Sequence, residues 1–216
     1  MEIRSALMIL IFSLSIVSGI SQDVTIVESP YLFPEFTTGK IRFKAGTGKD
    51  SKLNYNILTE EMVFDNNGTL LAFASPELID TVYINNKKFI FIEKIFYELI
   101  EKLPVSLLQR NFCTLIPPGK SAGYGGTSQT SAIQSNSSFY TSKGTYDLKL
   151  PDDYKVQPDF EYVLTKDGTL YRANNISQVV KCFPEKKDTI KEFVKKNKTS
   201  FRKTEDMVDL VKFCNQ

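Results

Sequence analysis

The sequence predicts an α+β protein: an antiparallel β meander, curved into a half-barrel or roll, followed by a hairpin and about three short C-terminal amphipathic helices. Three observations predict this fold. Apolar and polar residues alternate along short segments between about residues 31 and 116, which is typical of half-buried strands. Pairs of Asn and Gly separate these segments at the spacing of tight hairpins. Beyond about residue 175 the apolar residues recur with helical spacing instead.

The first strands follow from this alternation and from the turns between them. Turns are predicted at residues 66–68 (Asn-Asn-Gly) and 85–86 (Asn-Asn), because Asn tolerates the positive φ of tight hairpins. The segment 89–92 is apolar at every position, so its strand is placed at the centre of the sheet. The expected strands before it lie around 41–43, 53–57, 62–64, 70–71 and 81–84.

The next segments, 95–100 and 105–116, are predicted as two longer strands. A helix over 94–103 is the competing interpretation, because Pro104 also suits a helix end. The strand-rich surroundings favour strands. Further strands are expected around 146–150 and 160–164.

Three amphipathic helices complete the predicted fold, after a hairpin turn at residues 166–169 (Lys-Asp-Gly-Thr). Thr204 is the expected N-cap of the last helix, with acidic residues in its first turn. Helices this short need to pack on the sheet or on each other. Their apolar stripes are Ile176, Val179, Val180 and Phe183; then Ile190, Phe193 and Val194; then Met207, Leu210, Val211 and Cys214.

Composition excludes several classes of function. The chain has 216 residues, a formal net charge of +2, and neither histidine nor tryptophan. Ser-His-Asp and Cys-His nucleophile systems, histidine-ligated metals and histidine pH switches are therefore excluded. The balanced charge implies no polyanion partner overall, and a nucleic-acid partner is not expected.

The N-terminal residues 1–21 are predicted to be an export signal. Arg4 precedes an apolar run over 6–17, and Gly19 and Ser21 suit the positions before a cleavage site. The run is too short to span a bilayer, so no transmembrane segment is expected after cleavage. The mature chain is divided into a β-rich domain (22–116), a loop (117–143) and a hairpin with a helical tail (144–216). The tail packs with 22–116 as one domain or forms a second small one.

The segment 117–143 is rich in Gly, Ser and Thr and is predicted to be a flexible loop. Its three aromatic residues, Tyr124, Phe139 and Tyr140, suggest a contact surface. A disordered spacer is the alternative interpretation of the same composition.

The C-terminal residues 181–216 carry ten basic and six acidic side chains. They are interpreted either as a patch for an anionic membrane surface or an acidic protein, or as the solvated face of amphipathic helices. The candidate contact residues are Lys187, Lys191, Lys195 and Lys196.

The three cysteines, Cys113, Cys182 and Cys214, leave at least one thiol unpaired in an oxidising compartment. Cys182 and Cys214 are the candidate disulfide because both lie in the helical tail. Three buried thiols that act as small apolar side chains are the alternative.

No catalytic, cofactor-binding or metal-binding residue is predicted. The adjacent carboxylates at 60–61, 152–153 and 205–206 have structural explanations in strands, turns and helix caps. A carboxylate-dependent hydrolase of cell-wall or extracellular polymer stays an alternative that would need two carboxyls in a shared cleft. A ligand-binding β module is another, with a cavity lined by Tyr55, Phe64, Phe89 and Phe91.

Segments of the mature chain carry a family resemblance: 29–36 (Ser-Pro-Tyr-Leu-Phe-Pro-Glu-Phe), 39–44 (Gly-Lys-Ile-Arg-Phe-Lys), 53–56 with 60–62, and 186–198. They resemble an uncharacterised family of exported proteins of Bacteroidota-type Gram-negative bacteria. The resemblance implies a periplasmic or outer-membrane-associated location and assigns no residue a chemical role. The expected function is therefore non-catalytic, through contacts with envelope proteins or the envelope surface.

Overall fold

The computed structural model describes residues 29–116, 120–122, 126–128 and 154–216. The predicted export signal and the expected strand at 146–150 lie outside these residues. The strands are β1 (Thr37–Phe43), β2 (Gly48–Asn56), β3 (Glu61–Asn66), β4 (Thr69–Ala72), β5 (Ile79–Ile84), β6 (Lys87–Ile92), β7 (Ile95–Glu101), β8 (Ser106–Ile116), β9 (Lys120–Ala122), β10 (Gly126–Ser128), β11 (Lys155–Lys166) and β12 (Thr169–Arg172). The helices are α1 (Ile176–Cys182), α2 (Lys187–Asn197) and α3 (Thr204–Cys214).

Ten of the described strands form one open antiparallel sheet, and its order is β12-β11-β8-β7-β6-β5-β1-β2-β3-β4. One run of neighbouring strands is β1 to β4, and the other is β5 to β8 followed by β11 and β12; the two runs join where β1 pairs with β5. The α+β class, the antiparallel sheet and the three C-terminal helices are confirmed. β6, the strand predicted to be central because it is apolar on both faces, lies inside the sheet between β5 and β7.

Tight turns occur where the Asn and Gly residues predicted them. Asn67 and Gly68 have φ of 54° and 88°, and Asp167 and Gly168 have φ of 50° and 78°. Both pairs match the two positive φ values that a two-residue hairpin turn requires. Asn85, at the turn between β5 and β6, has φ of 51°.

Residues 95–101 form the strand β7, so the competing helix interpretation is wrong. β7 pairs with β6 on one side and with β8 on the other. Phe96 and Glu98 are buried on one face, and Tyr97 is buried on the other. This two-faced burial suits a strand inside a sheet better than a helix with one apolar stripe.

The main core lies on one face of the sheet and has two parts. In the first, Tyr55 of β2 stacks on Phe89 of β6 with ring centroids 5.8 Å apart, and Phe33 meets Phe89 edge-on. In the second, the three helices cover Leu107 of β8 and Leu164 of β11. Each part also takes residues from β8 and β11, so these two strands connect the β-rich body to the helical tail.

The opposite face of β7, β8 and β11 is also apolar. Leu99, Leu108 and Val163 are opposite one another in register and pack with Tyr97. Leu107 and Leu108 are successive residues that are both fully buried. The strand is therefore buried on both faces.

Thr204 begins α3 but is not its N-cap, contrary to the expectation. The capping position falls on Lys203, and no side chain caps the helix there. The Thr204 hydroxyl instead lies 2.9 Å from the Tyr162 hydroxyl of β11, so it ties the helix to the sheet. In the same region, Asp206 accepts a hydrogen bond from the Ser200 backbone N–H at 2.7 Å.

Candidate functional site

Arg110, on β8, joins two carboxylates that are far from it in the sequence. Its Nε and Nη2 each donate to the Glu60 carboxylate at 2.6 Å, and its Nη1 donates to Glu161 at 3.0 Å. Between 13% and 26% of each of these three side chains is exposed. The bidentate contact with Glu60 is the main reason that the pKa of Arg110 is raised, although partial burial opposes it. The guanidinium is therefore firmly charged.

Just before the turn that carries Glu60, the end of β2 makes a second contact with β8. β8 pairs with β11 over its full length, whereas its register with β7 covers residues 107–109. The Tyr55 hydroxyl donates to the Asn111 carbonyl oxygen at 3.3 Å in the part of β8 beyond that register. Burial, followed by the nearby Glu60 carboxylate, raises the pKa of Tyr55 well above its ordinary value, which keeps the donor protonated.

A second polar group lies close to the centre of the sheet. Glu98 of β7 is 5% exposed and accepts a hydrogen bond from Lys87 Nζ at 2.6 Å. Asn111 is buried beside it: its Nδ2 donates to Glu98 Oε2 at 3.5 Å, and its Oδ1 accepts from the Gln109 amide at 2.7 Å. A buried carboxylate needs such partners, and here they come from β6 and β8. The group explains how a charge is tolerated between the two parts of the core.

The Glu60–Arg110–Glu161 arrangement brings together two carboxylates that the sequence did not connect. A hydrolase that uses two carboxylates needs one of them as a proton donor, in a cleft that admits substrate. Here a guanidinium lies between the two carboxylates and is hydrogen-bonded to both. These ion pairs therefore form a structural tie, by which Arg110 of β8 joins Glu161 of β11 to Glu60 of the β2–β3 turn. Among the adjacent carboxylates predicted to be structural, Glu60 takes part in these ion pairs.

A cleft of about 760 Å³ opens beside the β1–β2 turn. Its walls come from β1, the turn, the start of β2 and the start of β5. The charged side chains that line it are Lys40, Arg42, Lys44, Lys49, Asp50 and Asp80.

The four predicted contact lysines of α2 are all exposed. At 3.6 residues per turn, Lys187, Lys191 and Lys195 follow one another along a single stripe. Lys196 is about 100° away from Lys195 and does not belong to that stripe. Ile190 and Val194, on the adjacent face of the helix, anchor it in the core. The structure therefore brings three of the four lysines together.

The predicted disulfide partners, Cys182 at the end of α1 and Cys214 at the end of α3, are both buried in the helical part of the core. The structure has both as free thiols, together with Cys113. Burial raises the pKa of Cys214 to about 12, and Cys182 lies near enough to add to that rise. The disulfide stays a prediction, and its alternative of buried thiols matches the observed state.

Other predicted site residues have different outcomes. Tyr124, Phe139 and Tyr140 lie outside the described residues, so the contact-surface interpretation of 117–143 stays a prediction. Within that segment β9 and β10 pair with each other, which its Gly, Ser and Thr content did not indicate. Tyr55 and Phe89 are fully buried core residues, and Phe64 and Phe91 pack against the same core. These four aromatics fill the core and do not line the cleft described above.

Two further observations concern the described residues alone. Within 29–116 and 154–216 and the two short strands between them, no group of three or more Cys, Asp or Glu side chains could hold a metal ion. Over the same part of the chain, no helix is both long and apolar enough to cross a membrane.

Comparison of the chain with known proteins finds no match to a family model, to a curated protein or to a solved structure. The resemblance to exported envelope proteins therefore stays a prediction, carried by the segments quoted above.

Proposed function

We propose that this chain is a non-catalytic exported protein of the cell envelope, periplasmic or associated with the outer membrane. It acts through contacts with a protein partner or with the envelope surface, within an outer-membrane-associated complex. The observation that carries the proposal is the exposed lysine stripe of α2. The export signal and the family resemblance predicted from the sequence support the location.

The stripe is suited to an acidic surface for three reasons. Lys187 and Lys195 form no ion pair with a described residue, and Lys191 meets Asp188 at 3.7 Å. That pair is largely exposed, with 52% and 93% of the two side chains accessible, so it contributes little to stability. The buried residues on the adjacent face hold the helix in place, so the three ammonium groups are presented together without a large ordering cost.

Binding of the full chain to isolated envelopes tests this proposal. The test variant is K187Q/K191Q/K195Q, and the matched control is K52Q/K102Q/K155Q, which removes three exposed lysines elsewhere. Each lysine near an anionic surface contributes about 1 kcal/mol at moderate salt. The test variant should therefore bind about 100-fold more weakly, and the control should bind like the parent chain.

Salt dependence and the unfolding midpoint complete the test. Binding should weaken as KCl rises, because the contacts are electrostatic and exposed. All three proteins should unfold at the same urea concentration, which shows that the substitutions leave the fold unchanged. Equal binding by the test and control variants would contradict the proposal, as would a parent chain that does not bind at low salt.

A carboxylate-dependent hydrolase stays the alternative predicted from the sequence, and the guanidinium between Glu60 and Glu161 disfavours it. It predicts that the chain degrades a cell-wall or extracellular polymer and that E161Q abolishes the activity while the fold persists. Absence of any degradation by the parent chain would remove this candidate and leave the contact protein.

A further inference from the structure

The cleft beside the β1–β2 turn is open because the residues paired with Arg42 on the two neighbouring strands are small. In register, Arg42 is opposite Gly48 on β2 and opposite Thr81 on β5. Gly48 has no side chain and Thr81 has a small one, so neither fills the space beside the guanidinium. The register of β1 with β5 also shifts between Arg42 and Phe43, which bends the strand at this point.

The turn that closes the cleft is well defined. Phe43 N–H donates to the Thr47 carbonyl, Gly46 N–H donates to the Phe43 carbonyl, and Lys44 N–H donates to the Leu78 carbonyl, each at 2.9 Å. Gly46 has φ of +86°, a conformation that glycine adopts without strain. The lysines at the turn are therefore attached to an ordered backbone.

The charges in the cleft are unbalanced. Four cations and two carboxylates line it, which leaves a net charge of +2. Asp50 is opposite Lys40 in register, and Asp80 accepts a hydrogen bond from the Thr81 hydroxyl at 2.8 Å. Arg42, Lys44 and Lys49 form no ion pair with any described residue.

These cations repel one another in the free protein, and a bound anion would reduce that repulsion. Lys40 and Arg42 lie two residues apart on one face of β1, so their Cα atoms are about 6.6 Å apart. At that spacing two exposed like charges repel each other weakly through water. The Tyr83 ring partly offsets this repulsion, because the Arg42 guanidinium lies 6.0 Å from its centroid.

We propose that this cleft binds a ligand through a phosphate group that carries two negative charges. Two charges match the net +2 of the lining. A forked guanidinium and lysine ammonium groups are the donors that proteins use for phosphate. The volume of about 760 Å³ lies within the range of small-molecule sites. The phosphate belongs either to a soluble small molecule or to a lipid headgroup. This site is separate from the α2 stripe and goes beyond the proposed function.

Thermal unfolding of the full chain with inorganic pyrophosphate tests the soluble source. Ionic strength is held constant with KCl, so that general screening does not change. At pyrophosphate concentrations tenfold above Kd, the midpoint should rise by about 3 to 6 °C. Sedimentation with phosphatidylcholine vesicles that contain phosphatidic acid, against vesicles of phosphatidylcholine alone, tests the lipid source.

Two variants locate the binding site. K44Q/K49Q removes two cations from the cleft and should weaken binding at least tenfold, whereas the control K102Q/K155Q should bind like the parent chain. The α2 variant K187Q/K191Q/K195Q should also keep its response to pyrophosphate. The α2 variant tests binding to envelopes, and K44Q/K49Q tests binding of phosphate in the cleft. Either proposal can therefore be refuted while the other stands.

Each outcome of these experiments either supports or overturns the phosphate site. A K44Q/K49Q-sensitive response to pyrophosphate, to phosphatidic acid vesicles or to both supports the phosphate site and identifies the source. No response to either probe overturns it. A response that K44Q/K49Q leaves unchanged, or that the α2 variant abolishes, also overturns it, because the anion is then held elsewhere.

Discussion

Replacing Arg110 with Ala should destabilise the fold strongly, because it leaves two carboxylates without their shared partner. Arg110 makes three hydrogen bonds of 2.6 to 3.0 Å to Glu60 and Glu161, and no more than 26% of any of the three side chains is exposed. Breaking a fully buried pair costs about 3 to 5 kcal/mol. Partial exposure reduces this, so we expect the free energy of unfolding to fall by about 2 to 4 kcal/mol.

Arg172 provides a matched control, because it contacts the same Glu161 carboxylate. Its Nε lies 3.5 Å from Glu161, and 67% of its side chain is exposed. Arg172→Ala should therefore cost less than about 0.5 kcal/mol. Urea unfolding, followed by circular dichroism with the slope m compared between variants, measures both changes. A loss below 1 kcal/mol for Arg110→Ala would refute the interpretation of this arrangement as a structural tie.

A double-mutant cycle separates the ion pair from the packing of the Arg110 side chain. The guanidinium carbon also lies 5.4 Å from the Phe112 ring, so part of the lost stability comes from this cation–π contact and not from the ion pairs. Combining Arg110→Ala with Glu60→Ala should show a coupling of about 1 to 3 kcal/mol. Strictly additive effects would mean that Glu60 gains nothing from Arg110.

Three further predictions concern backbone packing and the thiols. Gly39→Ala should cost about 1 to 3 kcal/mol in urea unfolding, because an added Cβ would lie 2.4 Å from the Tyr83 carbonyl oxygen; a loss under 0.5 kcal/mol would contradict this. Stability should fall as pH rises from about 9 to 12, because burial holds the pKa of Cys113 and of Cys214 at about 12 while unfolded thiols ionise near 9. The slope should reach up to about 1.4 kcal/mol per pH unit for each thiol, and Cys→Ala variants should remove it. In an oxidising buffer, peptide mapping should find Cys182 joined to Cys214; a bridge that involves Cys113 would show that the pairing is wrong.

Local patterns in the sequence predict most of the strands and helices. The alternation around Ile41 and Phe43, the Asn-Gly turn after β3 and the helical spacing of Ile190 and Val194 are each set by neighbouring residues, and the structure confirms all three. The adjacency of β1 and β5 could not be predicted in this way. It joins strands about 40 residues apart, and such pairings depend on the whole sheet.

The candidate sites were predictable to different degrees. The α2 stripe follows from helical periodicity, and so does the separation of Lys196 from it. The cleft has a signal in the sequence, because cations alternate at 40, 42 and 44, but the same alternation is typical of the polar side of any half-buried strand. The meeting of Glu60 and Glu161 at Arg110 had no such signal, because the two residues are about 50 positions away from it on either side.

Because β8 pairs with β11 along its whole length, the stability of the sheet should depend little on how many residues connect the two strands. The ladder runs from Ser106 opposite Thr165 to Ile116 opposite Lys155, so the chain leaves and re-enters the sheet at points about 5 Å apart. Loop-closure entropy changes only with the logarithm of length. Sequence can therefore be added, removed or exchanged at this position with little effect on the sheet. A foreign domain inserted there should leave the rest of the architecture unchanged.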